Sequence, residues 1–114
     1  RVRPGATEAG KTMQTHGLKA DPEVFQAVID GLKTYEIRKN DRGFSVGDTL
    51  VLRETLHTGR DMAMGSPLVY TGRAVQVAVT HMLTGPIYGL AAGWSILSMR
   101  RLAQTLDEAD LSHL

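Results

Sequence analysis

The chain contains no cysteine. Disulfides, thiol catalysis and cysteine-based zinc sites are therefore excluded, and a reducing, cytoplasmic setting suits such a sequence. No apolar run approaches the ~20 residues that a membrane-spanning helix needs, so no membrane partner is expected. The charged N-terminal stretch has no apolar core behind it and does not read as a secretory signal. Neither sign of charge dominates: 13 Lys and Arg against 12 Asp and Glu give a formal net charge of +1. Any electrostatic footprint for a nucleic acid must therefore be local. His16, His57, His81 and His113 lie far apart, with no H-x-E or H-x-x-x-H pair. No metal is expected on that spacing, and no cofactor.

What is present fits one globular domain: 114 residues, 42% hydrophobic and 22% charged. The expected organisation is a flexible tail over 1–12, a domain over 13–100 and a weak C-terminal helix or tail over 101–114. Gly5 to Thr12 reads GATEAGKT and matches the phosphate-loop pattern G-x-x-x-x-G-K-[ST]. That pattern works only where a buried strand delivers the loop and a helix leaves it. Only RVRP precedes it, and Gly17 and Pro22 follow too soon for a long helix. The match reads as tail.

A short strand is expected over Met13–Lys19. Asp21 and Pro22 then form a helix start, as N-cap and first helical residue. Phe25, Val28, Ile29 and Leu32 follow the spacing of one buried helix face, and Gly31 is placed to end the helix in a left-handed conformation. From Thr34 to Lys39 the period changes to two. Tyr35 and Ile37 are expected on the core face, with Thr34, Glu36 and Arg38 opposite. Further strands are expected over Thr49–Glu54, around Val75, Val77 and Val79, and over Trp94–Met99, with Trp94 in the core. Residues 56–69 read as a loop without a core, and Tyr70 and Gly72 as a turn or bulge before the longest strand. The sum is a small α+β domain with a curled sheet.

The densest charge lies in GLKTYEIRKNDR, Gly31 to Arg42, where Lys33, Arg38, Lys39 and Arg42 outweigh Glu36 and Asp41. One reading is a solvated strand face, with Glu36 and Arg38 as same-face neighbours of little energetic weight. The other is the floor of a polar cleft. There Glu36 is held by Lys33 or Arg38 and either meets the edge of a nucleobase or activates a water.

These residues resemble a known family. GLKTYEIRKNDRGFSVGDTLVLRE is similar to the Gly-x-Lys-Thr-x-Glu-x-Arg signature of the ASCH superfamily, whose fold resembles the PUA domain. The nearer likeness is to a bacterial and phage branch of unknown function. The motifs that carry it are His16, Leu18 and Lys19; Glu36 to Arg42; Val46, Gly47, Asp48, Leu50 and Leu52; Tyr70 to Arg73; and Gly93 to Met99. The resemblance spans about residues 14 to 99 and implies a PUA-like β-barrel of about five to six strands, with one main helix packed on it and a cleft beside that helix. It also implies RNA binding or RNA-linked chemistry. Some relatives are amidohydrolases that deacylate N4-acetylcytidine with a Lys, a Thr and a distant Glu. Lys33 matches that lysine. Glu36 stands where the threonine is expected, Thr34 lies two residues earlier, and Glu54 is the candidate for the distant glutamate.

Three functions follow as expectations. The first is an RNA- or nucleotide-binding module using Lys33, Thr34, Glu36, Arg38, Lys39, Asn40 and Arg42, with Tyr70 for stacking and Arg73 for phosphate. The second is a small hydrolase, an amidohydrolase or ribonuclease, in which Lys33 and Glu36 are catalytic. The third is a phage or mobile-element module whose partner is a protein, met through the loop around Met62 or the C-terminal segment.

Overall fold

The computed structural model describes residues 12–102. The tail before Thr12, most of the phosphate-loop match and the segment beyond Leu102 lie outside the described residues. Seven elements follow one another: β1 (Thr15–Ala20), α1 (Pro22–Ile29), β2 (Tyr35–Lys39), β3 (Thr49–Thr55), α2 (Gly59–Ala63), β4 (Tyr70–Thr84) and β5 (Trp94–Arg101). The five strands form one sheet in the order β1-β3-β4-β5-β2. β1 runs parallel to β3, and every other pairing is antiparallel. Register irregularities interrupt β3/β4 between Arg53 and Thr55 and β4/β5 between Val79 and His81. Such bulges add local twist and bend a sheet. The first falls beside Gly72 (φ 93°), where the sequence suggested a turn or bulge.

The curled sheet brings its two edge strands towards each other. Thr49 N–H donates to the Gln14 carbonyl, so β1 uses even-numbered carbonyls on its β3 side. Successive carbonyls of a strand point to opposite sides, and those of Gly17 and Lys19 face the far edge. Arg42 Nη1 donates to the Gly17 carbonyl at 2.6 Å, and Arg38 Nη2 donates to the Lys19 carbonyl at 2.7 Å. Side chains from β2 and the turn after it thus bridge a seam that backbone pairing leaves open.

The core lines the concave face. Leu18 and Ala20 of β1, Leu50 and Leu52 of β3, Val75, Val77 and Val79 of β4, and Leu97 and Met99 of β5 are buried there. Phe25 and Val28 of α1 and Phe44 complete it. Each fully buried Leu or Phe side chain contributes ~1.5–3 kcal/mol, so this face carries most of the stabilisation.

α1 begins at Pro22 as expected and ends in a Schellman motif. Leu32 N–H reaches back to the Ala27 carbonyl and Gly31 N–H to the Val28 carbonyl, with Gly31 at φ 75°. That turn corrects one expectation: Leu32 lies beyond the helix and is 81% exposed. The expected single main helix is also replaced by two short ones, of 8 and 5 residues. α2 sits in the stretch read as loop, and the Thr58 hydroxyl accepts from Asp61 N–H to cap it.

The largest correction concerns β2. Its period of two is present, but with the opposite phase. Glu36 is 4% exposed, whereas Tyr35 and Ile37 are 46% and 49% exposed. The cause is the register with β5, which sets Glu36 beside Leu97 and Arg38 beside Ser95, on the face that β5 buries. A one-residue change of register would invert this choice. Trp94, expected in the core, alternates with buried Ser95 and is half-exposed. No helix among the described residues is long and apolar enough to cross a membrane.

Candidate functional site: a polar cleft at the sheet seam

The Schellman turn delivers Lys33 two residues before β2, and the inward phase of β2 delivers Glu36 and Arg38. Lys33 Nζ donates to Glu36 Oε1 at 2.7 Å, and Arg38 Nε donates to Glu36 Oε2 at 3.0 Å. Lys33 Nζ also donates to the Tyr35 carbonyl and lies 4.7 Å from the centre of the Tyr35 ring. The solvated-face reading does not hold for Glu36: a carboxylate this buried, engaged at both oxygens, is a fixed element of the wall.

This trio opens onto a cleft of about 930 Å³ between the β1 edge, the β2 edge, the start of α1 and α2. Its charged lining is Lys19, Lys33, Arg38, Lys39 and Arg42 against Asp21, Glu36 and Asp41, a local surplus of two positive charges (five minus three). Leu18, Ala20, Val24 and Phe44 supply apolar wall, and Met62 and Ala63 of α2 close one side. Asp21 does not cap its own helix. Its Oδ1 accepts from Gly59 N–H at 2.9 Å and so ties the start of α2 to the start of α1.

The structure gathers Lys33, Glu36, Arg38, Lys39 and Arg42 at the cleft and separates the other candidates. Asn40 is committed to the turn: its Oδ1 accepts from Phe44 N–H at 2.9 Å. Thr34 is exposed and lines a separate hollow of about 210 Å³ with Met99 and Arg101. Tyr70 and Arg73 stand at the β3–β4 end of the sheet, away from the cleft lining. The Tyr70 ring stacks on the Arg53 guanidinium at 3.7 Å. Arg73 lies over the Phe25 ring at 4.9 Å and 3.6 Å from Glu54 Oε2, while Thr71 Oγ1 donates to Glu54 Oε1 at 2.8 Å. Glu54 is therefore enclosed in its own group and does not line the cleft.

His16 has a structural setting. Its Nε2 lies 2.9 Å from Asp48 Oδ2, and its ring meets Phe44 edge-on at 4.7 Å. Asp48 also accepts from Gln14 N–H and Ser45 N–H, which ties β1 to the turn before β3. Among the described residues, no three His, Asp or Glu side chains are grouped to hold a metal.

Sequence reasoning missed Lys19, Trp94 and the α2 residues as lining. Lys19 belongs to the His16–Lys19 motif and was visible there. Thr58 three residues before Asp61 is a helix-start signal that marks α2. Trp94 carried no local signal, because its exposure depends on the β2–β5 register.

Fold and site together define a small, open, curled-sheet domain whose seam is a polar cleft with surplus positive charge. Residues 15–99 match the family model described as Domain of unknown function (DUF3850), and the chain belongs to that family. It is also 35% identical over 67 residues to the "Uncharacterized 12.9 kDa protein in GpA 3'region" of Escherichia phage P2. That alignment covers 59% of this chain and 52% of the phage protein, about half of the relative's length.

Proposed function

We propose that the domain binds a nucleotide or a short RNA segment in the seam cleft, as a PUA-like module of the ASCH superfamily. The observation that carries this reading is the Lys33–Glu36–Arg38 trio at the wall of an open cleft. Burying the Glu36 carboxylate and drawing Lys33 and Arg38 partly out of water is costly, and apolar residues of similar size serve stability as well or better. Recognition accounts for the trio where stability does not.

The chemistry suits a base edge. A carboxylate accepts from an exocyclic amine, as Glu and Asp do from the cytosine N4 amine. Arg38 spends Nε on Glu36 and Nη2 on Lys19, which leaves Nη1 for a base oxygen among the described residues. Lys39 and Arg42 line the cleft and supply the positive charge that a phosphate would meet. Both Glu36 oxygens already accept from cations, an arrangement that holds an anion in place rather than one that draws a proton from water. Binding is therefore favoured over hydrolysis by the same pair.

Calorimetric titration with cytidine and uridine monophosphates tests the assignment. The cytidine nucleotide is expected to bind tighter, and Glu36→Gln to remove that preference, a difference of ~1–3 kcal/mol for one well-made base contact. Equal affinity of wild type and variant for both nucleotides would remove Glu36 from base recognition.

A further inference from the structure

The outward phase of β2 has placed apolar side chains where a hidden strand face was expected. Tyr35 and Ile37 are 46% and 49% exposed on β2, and Trp94, the Cα partner of Lys39 on β5, is 39% exposed. All three line the mouth of the cleft, so the polar floor at Glu36 continues into an aromatic and apolar lip. Large apolar side chains exposed together on two adjacent strands are the kind of surface that marks an interaction site.

The charges around the lip select the covering group. Lys33, Lys39 and Arg42 border it, and Lys33 Nζ already sits over one face of the Tyr35 ring. A wholly apolar partner has no use for these cations. Flat rings joined by an anionic backbone use both parts: bases stack on aromatic side chains while phosphates meet Lys and Arg. Alternation along β2 puts Tyr35, Ile37 and Lys39 on the same face, so aromatic, apolar and cationic groups follow one another along the strand.

We infer that Tyr35, Ile37 and Trp94 form an apolar strip whose Trp94 end, flanked by Ile37, stacks an unpaired base of a single-stranded nucleic acid whose neighbouring nucleotide occupies the cleft. This rests on the nucleotide reading of the cleft and adds that the natural ligand is at least two nucleotides long and single-stranded. Inside a duplex the faces of each base are covered by its stacked neighbours and its pairing edge is used by its partner, so the interior of a duplex is not a ligand for this strip.

Trp94 is the only tryptophan in the chain, so its emission reports on the platform directly. The experiment titrates cytidine monophosphate, then cytidine di-, tri- and tetranucleotides, reading Trp94 emission and the amide shift of Glu36 in parallel. The expected result is a gain of about tenfold in affinity from one nucleotide to two, as one stacked base gives, with quenching of Trp94. Trp94→Phe keeps a ring and keeps most of that gain. Trp94→Leu keeps bulk without a ring and brings the dinucleotide-to-mononucleotide ratio close to one. A Glu36 shift with the mononucleotide but no gain with length and no quenching would overturn the platform while leaving the cleft reading intact. No Glu36 shift and no quenching with any ligand would overturn both. Emission that changes with protein concentration alone, together with a larger sedimenting species, would show that a second copy of this chain covers the lip, and would overturn the stacking role.

Discussion

Asp48 and Glu36 are both buried carboxylates, and the fold places Asp48 beside His16 and Glu36 beside Lys33 and Arg38. Their surroundings differ. Asp48 is closed off, accepting from Gln14 N–H, Ser45 N–H and His16. Its task is to fix β1 against the turn that leads into β3. Asp48→Asn replaces an acceptor oxygen with an N–H₂ group facing a donor, and is expected to cost about 3 kcal/mol in urea unfolding. Glu36 faces a cleft instead. Glu36→Ala leaves Lys33 and Arg38 without their shared anion and should destabilise by about 3 kcal/mol, the lower end for a broken buried pair because both cations reach solvent. The combined variant Lys33→Met, Glu36→Leu, Arg38→Met is expected to match or exceed wild-type stability in the same assay while losing nucleotide affinity. A triple variant both unstable and unable to bind would make the trio a structural device.

At the scale of elements, α1 was legible because all its determinants are local: Asp21-Pro22 at the start, Phe25 and Val28 on one face, Gly31 at the end. Gly31→Ala tests the last of these. A Cβ there meets nothing within 4 Å, so only the left-handed backbone (φ 75°) resists it. The expected cost is ~1–2 kcal/mol by thermal melting. Gly85 is constrained differently: an added Cβ would stand 2.1 Å from the Ala91 carbonyl oxygen, so Gly85→Ala must displace the 85–93 loop that leads into Trp94. Changed amide shifts across that loop and at Trp94 are expected. The existence and period of β2 were legible too. Its phase was not, because alternation shows that two faces differ without showing which is buried. That choice is made by β5, some sixty residues away in the chain, whose Ser95, Leu97 and Met99 face inward. Charge made Glu36 and Arg38 look like the wet side, and their mutual pairing is what lets them occupy the dry one. α2 was missed for a different reason: with five residues and no buried side chain, it has no apolar period to detect.

At the scale of the whole molecule, the strand order β1-β3-β4-β5-β2 creates the cleft. It leaves β1 and β2 as edges, curls them towards each other, and fills the gap with arginine side chains instead of backbone pairing. The residues of the charged strand could be read from the sequence as a cleft floor, whereas the opposite wall, from Lys19 to Val24, required the topology. The same topology separates Tyr70, Arg73 and Glu54 from that cleft. Arg42 is exposed and bridges the seam through a single carbonyl. Arg42→Ala is therefore expected to change stability by about 0.5 kcal/mol or less. It should also weaken RNA binding and lower the slope of log affinity against log salt by about 0.7, the share of one phosphate on a single strand.

The seam cleft as the nucleotide site is tested most directly by an amide chemical-shift titration with a short, mixed-sequence single-stranded RNA at low and moderate salt. Shifts centred on Lys33 to Arg42, extending to Lys19 and Trp94 and shrinking as salt rises, are expected. No shifts at either salt, or shifts confined to the Glu54, Tyr70 and Arg73 end of the sheet, would contradict it.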